Sequence, residues 1–101
     1  MPLAITVILE HGSEIARIAS HEYPRLLFTD DTSLVHLSAL DDCSYDIFAS
    51  SDMPDLIQEL SKVRSGLSAN DLPHIDQIIA LCERCSGIPG STLAFTPFEA
   101  V

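Results

Sequence analysis

Apolar and polar residues follow two different rhythms along the chain, and the change falls near Ser51. Before it, short apolar runs are separated by turn-forming residues. After it, apolar residues recur at helical spacing. Residues 3–10 (LAITVILE) are rich in Ile, Val and Thr, which suit a pleated surface, and they predict a strand central in its sheet. His11-Gly12-Ser13 is a turn signal. Residues 14–20 (EIARIAS) admit two readings. Ser13 caps a short helix with Ile15 and Ile18 on one side, or the segment returns as the second strand of a hairpin around Gly12. The strand is favoured.

Tyr23-Pro24 marks a break, because a proline pushes its predecessor out of helical geometry. Three further strands are predicted: 25–29 (RLLFT), 34–39 (LVHLSA) and 44–49 (SYDIFA). Between them lie Asp30-Asp31-Thr32-Ser33 and Asp41-Asp42, whose short side chains bond to nearby backbone N–H groups. Alternation places Val35, Leu37 and Ala39 on one face of the 34–39 strand, with Leu34, His36 and Ser38 on the other. In the next strand Tyr45, Ile47 and Ala49 share a side. Turn signals spaced about 8–12 residues apart predict an antiparallel meander.

After Ser51 the period changes. Met53, Leu56, Ile57, Leu60, Val63 and Leu67 make the stripe of an amphipathic helix. Ser51 or Asp52 serves as N-cap, Pro54 fits the first turn, and Lys62 and Arg64 suit the negative end of the helix dipole before Gly66. A second helix is capped by Asn70 or Asp71 and carries Leu72, Ile75, Ile78, Ile79, Cys82 and Cys85 on its stripe. Gly87, Pro89 and Gly90 end it, and residues 91–98 (STLAFTPF) form a last strand, where Pro97 suits a strand end or edge. The short linker predicts that the helices pack antiparallel. The expected architecture is a single α+β domain, residues 1–101. A mainly antiparallel meander of about five or six strands carries the two helices on one face and ends in a C-terminal strand.

Composition narrows the partners. Aromatic residues are 6% and Trp is absent, so the core is aliphatic. The longest apolar segment, 3–9, is interrupted by Thr6 and falls well short of the roughly 18 residues of a membrane span. Met1-Pro2-Leu3-Ala4 places no basic residue ahead of it, so a cytoplasmic protein without a secretory signal is expected. Three cysteines (Cys43, Cys82, Cys85) are too few, and odd in number, for a disulfide framework, which fits a reducing compartment. Net charge is −10, from 15 acids against 5 Lys plus Arg. That sign disfavours nucleic acid and anionic membranes and favours a cationic partner.

No candidate chemistry gathers a full residue set. Cys82-Glu83-Arg84-Cys85 is a CxxC, but it lies near a helix C-terminus, where the dipole disfavours thiolate. A zinc site needs about four ligands, and Cys43 and the scattered His11, His21, His36 and His74 do not supply them at metal spacing. The two cysteines are therefore expected to be small apolar residues on the buried stripe. The histidines have no identifiable partner in the sequence. Asp30-Asp31, Asp41-Asp42 and Asp46 offer hard oxygen ligands without the order of a calcium loop. No cofactor, no metal and no catalytic set are expected.

The position of the charge is more informative. Residues 26–61 contain no Lys or Arg and eight acids: Asp30, Asp31, Asp41, Asp42, Asp46, Asp52, Asp55 and Glu59. In a meander, Asp30, Asp31, Asp52 and Asp55 converge at one end of the sheet, and Asp41, Asp42 and Asp46 form a second patch. These seven aspartates are the predicted partner-binding residues, since a single-signed patch steers a cationic partner.

Three segments carry a resemblance: Leu56-Ile57-Gln58-Glu59-Leu60, Ile78-Ile79-Ala80-Leu81-Cys82-Glu83 and Thr92-Leu93-Ala94-Phe95-Thr96-Pro97-Phe98. Over its C-terminal half the chain resembles small acidic immunity proteins that neutralise bacterial polymorphic or contact-dependent toxins. The resemblance implies tight binding to a cognate toxin domain, often a nuclease with a basic cleft, and transfers no catalytic residue. The expected function is an immunity-type inhibitor that occludes a basic toxin domain. Its alternative is a non-catalytic accessory or homo-oligomeric regulatory protein that uses Phe95, Pro97 and Phe98 as an apolar interface. A small metal-dependent or thiol enzyme built on Cys82 and Cys85 is a third reading.

Overall fold

In a computed structural model, which describes residues 2–40 and 45–97, four strands form one antiparallel sheet. They are β1 (Leu3–Ile8), β2 (Glu14–Ser20), β3 (Asp46–Ala49) and β4 (Thr92–Pro97). Segment 14–20 is thus the return strand of a hairpin. Gly12 turns it at φ +98°, a backbone region that a Cβ disfavours, and its N–H donates to the Leu9 carbonyl at 2.8 Å. The spatial order is β2-β1-β4-β3, so the first and last strands lie side by side at the centre. Ile5 stands opposite Ile18 on one side and Phe95 on the other.

The sheet has four strands where a meander of five or six was expected, because two predicted strands take other forms. Residues 25–29 fall mostly in a short helix, α1 (Tyr23–Leu27), with Pro24 in its first turn, where its missing N–H is no loss. Tyr23, Leu26 and Leu27 are buried together at i, i+3, i+4 spacing, a helical period that an apolar run of Leu-Leu-Phe conceals. Segment 34–39 becomes a turn followed by a 3-10 turn at Leu37–Ala39. Leu34 and Leu37 are buried and Val35 is exposed, so the burial period is three, not two. The predicted pairing of Val35 with Leu37 on one face is therefore wrong.

The longer helices form as predicted, as α2 (Met53–Ser65) and α3 (Leu72–Ser86). Arg64, in the last turn of α2, pairs with Asp76 in the second turn of α3 at 2.7 Å, so the two helices run antiparallel. Their stripes bury Met53, Leu56, Leu60, Ile75, Ile78, Cys82 and Cys85 in one cluster with Leu3, Ile5, Val7, Leu93 and Phe95. Capping differs in detail. Asp52 turns back to accept the Ala49 N–H (3.1 Å), and Asp71 accepts Arg25. At the end of α3, the buried Ser91 hydroxyl donates to the Ile88 and Cys85 carbonyls at 2.7 and 3.0 Å. The Cys85 carbonyl also accepts the Ile88 N–H, and the Ile88 carbonyl the Ser91 N–H, so the hydroxyl ties the turn after α3 back to the helix end. α1 is tied to α3 by the Tyr23 hydroxyl, which donates to Gln77 at 2.8 Å. Ala4, Thr6 and Ala94 occupy the opposite sheet face with small side chains. No helix among the described residues is long and apolar enough to cross a membrane.

Cys82 and Cys85 are free and buried in the core, as expected of small apolar residues. Burial, with lesser contributions from Cys85 and Glu83, pushes the Cys82 thiol up from 9.0 to about 12. The folded value lies above the unfolded one, so the associated stability is intact below pH 9.0 and declines as pH climbs towards about 12. The Tyr23 phenol, also raised by burial, acts in the same direction above its ordinary 10.0. Urea unfolding of the reduced protein should accordingly show a steady midpoint to about pH 9, then a fall. Cys82→Ala should cost about 1 kcal/mol at neutral pH and make the alkaline fall shallower.

Candidate functional site

The structure separates the predicted aspartates. Asp31 accepts the Ser33 N–H at 3.0 Å and the Ser33 hydroxyl at 2.6 Å, closing the turn read from the sequence. These bonds, opposed by some desolvation and aided by the charge of Lys62, hold its carboxyl below the usual range. Lys62 is in the last turn of α2, whereas Asp52 and Asp55 are at its start. Ten residues of helix separate Asp52 from Lys62, about 15 Å at the ordinary rise. Asp31 is therefore separated from Asp52 and Asp55 along α2, because the 34–39 strand that would have gathered them at one end of a sheet does not form. Asp30 and Asp55 are exposed, and Asp46 shares the helix-covered side of β3 with Phe48. Asp41 and Asp42 lie outside the described residues.

The eighth acid has a different role. Glu59 is only 7% exposed, on the apolar face of α2 between Leu56 and Leu60. A carboxylate there must be paired, since an unpartnered buried charge is very costly. Its Oε1 accepts the His36 N–H (2.9 Å) and the Leu37 N–H (3.1 Å), and its Oε2 pairs with His36 Nδ1. The carboxylate thus caps the 3-10 turn and anchors the 28–40 segment to α2. The His36 ring stands edge-on to Phe48 at 5.4 Å, and Phe48 stands edge-on to Phe95 at 5.7 Å. Sequence reasoning left His36 without a partner. The legible signal was Glu59 itself, a lone charge inside an apolar stripe. Among the described residues the His36 side chain hydrogen-bonds Glu59, a carboxylate and not a nucleophile.

The cations pair elsewhere. Arg25 bonds Glu22 at 2.5 Å and Asp71 at 2.8 Å, and Arg64 bonds Asp76. Asp71 and Asp76 are held below the usual carboxylate range, first by the arginine hydrogen bond in each case. No group of three His, Cys, Asp or Glu among the described residues could hold a metal ion. The predicted apolar interface also changes: Phe95 is 1% exposed, in the core, and Phe98 lies outside the described residues. Among the described residues, the large apolar side chains that are mostly exposed are Val35 (67%), Tyr45 (74%) and Ile47 (62%).

Glu59→Ala should destabilise the fold by about 3 kcal/mol, because two loop amides and an imidazole lose their acceptor. Glu59→Gln, which keeps one acceptor oxygen, should cost about half as much. Urea unfolding gives both values. Hydrogen exchange should speed up first at the His36 and Leu37 amides.

Against this geometry, no protein-family model, curated protein or solved structure matches the chain.

Proposed function

We propose that this chain is a non-catalytic, acidic protein-binding domain: a cytoplasmic immunity-type inhibitor that docks on, and occludes, a basic toxin domain. The supporting observation is the pattern of internal neutralisation. Arg25 and Arg64 are engaged with Glu22, Asp71 and Asp76, all outside residues 26–61. Within that stretch, Glu59 is turned inward, and Lys62 lends its charge to Asp31 from just beyond the boundary. Folding therefore leaves Asp30, Asp31 and Asp55 of this stretch exposed. A surface of one sign raises the encounter rate with a partner of the other sign and repels wrong partners. An exposed carboxylate keeps its water until it meets a guanidinium or ammonium group, so it steers more than it binds.

The reading is tested with the basic product of a neighbouring gene. Co-expression should yield a stable complex and protect the host from that product. The Asp30→Lys/Asp31→Lys double variant should associate about tenfold more slowly at low salt, with a flatter salt dependence and little change in dissociation. Stopped-flow or surface-plasmon kinetics gives both rates. Failure to bind any neighbouring gene product would sink the proposal.

A further inference from the structure

The phase of the β3–β4 ladder shows which backbone groups are left over. Asp46 faces Phe95 and Phe48 faces Leu93, and the Ser50 N–H extends the same register by donating to the Ser91 carbonyl at 3.1 Å. Alternate residues of an antiparallel strand turn their polar groups to opposite sides. Residues 46, 48 and 50 therefore face β4, and Ile47 and Ala49 turn their N–H and C=O groups outward. Asp52 corroborates this phase, since its carboxylate accepts the Ala49 N–H at 3.1 Å from the outer side. β3 ends the sheet, so among the described residues no strand pairs with the edge on which Ile47 carries its N–H and carbonyl. Its side chain and that of Tyr45 share a side and are mostly exposed.

We propose that the outer edge of β3 is the docking site for an extended, Lys- or Arg-bearing segment of the partner, which adds as a strand beside Ile47. The inference rests on the acidic-binder reading above and specifies its contact. An edge with an open N–H and C=O recognises any extended chain, and its side chains choose among them. Here the choice is set by charge. Asp52 closes one end of the edge, and Asp55 is exposed in the first turn of the helix beyond. A second copy would bring the same net charge of −10 to the same place. A cationic segment meets carboxylates instead, with its apolar residues on Tyr45 and Ile47. The shortness of β3 and the Asp52 block limit the addition to a short segment, which guards against indiscriminate pairing.

The test uses the whole chain, isotope-labelled for NMR, at low ionic strength. It is titrated to millimolar concentration with a short synthetic peptide of alternating lysine and valine, and separately with the glutamate–valine counterpart. The lysine peptide should slow hydrogen exchange at the Ile47 amide, and the glutamate peptide should not. Ile47→Pro should bind the lysine peptide about tenfold more weakly, through loss of one main-chain donor. Proline is tolerated where an edge N–H faces outward, and an unchanged Tm verifies the fold. Ile47→Lys, which keeps the N–H but repels a cation, is the second variant and should also weaken binding. If the lysine peptide binds with the Ile47 amide unprotected, or binds both variants like the parent, the edge proposal is overturned and the acidic-binder reading stands. If it binds nowhere, the edge proposal is overturned and cationic attraction loses its support as well. A dimer in sedimentation that Ile47→Lys dissociates would assign the edge to a second copy and overturn the proposal too.

Discussion

The pairing of β1 with β4 is the constraint on which the rest of the structure depends. Ile5 and Phe95 stand opposite each other although almost the whole chain separates them. Their strands are the two central ones, and every other element is attached to this pair. β2 extends it by a hairpin, β3 extends it on the far side, and α2 and α3 cover the face that carries Leu3, Ile5, Val7, Leu93 and Phe95. A contact of such sequence separation forms late and at an entropic cost, because the long loop must close first. The aliphatic cluster beneath it offsets that cost through burial of apolar surface.

A second constraint sits on α2. Burying Glu59 would be prohibitive by itself, yet its two oxygens take three donors from the His36–Leu37 turn. The carboxylate therefore acts as a fixed anchor for an irregular segment with little regular hydrogen bonding of its own. Through the His36–Phe48–Phe95 ring contacts the same anchor reaches the sheet, so segment 28–40, α2 and β3 are held as one unit. That unit includes the edge where Tyr45 and Ile47 are exposed.

The charge distribution follows from these attachments. Arg25 joins α1 to the start of α3 through Asp71, and Arg64 joins α2 to α3 through Asp76. These exposed pairs add little stability individually, but they hold Arg25 and Arg64 against acids outside residues 26–61. The four acids that a meander would gather at one end of the sheet are instead divided, with Asp31 near Lys62 in the last turn of α2 and Asp52 and Asp55 at its start. Electrostatic steering needs only the sign of the surface, whereas a docking site needs a shape, which our proposal assigns to the outer edge of β3.

The amphipathic helices were legible in the residues themselves, because Leu56, Leu60, Ile75 and Ile78 repeat at the helical period and Pro, acid and Gly positions bound each segment. The β1 and β4 strands were legible from their Ile, Val and Thr content, and the burial of Cys82 and Cys85 from the stripe they occupy. Short segments carried too few periods to decide between helix and strand. Tyr23–Leu27 and 34–39 were settled by which side chains the core could accept, so Leu34 and Leu37 went in and Val35 stayed out. Sequence by itself determined composition, charge sign and the long periodic elements, since these depend on neighbours within a turn or two. Only the tertiary structure decided the strand order, the partner of His36 and the place of β3 at the end of the sheet. Each of those depends on residues distant in the chain meeting in space, and local pattern carries no record of such meetings.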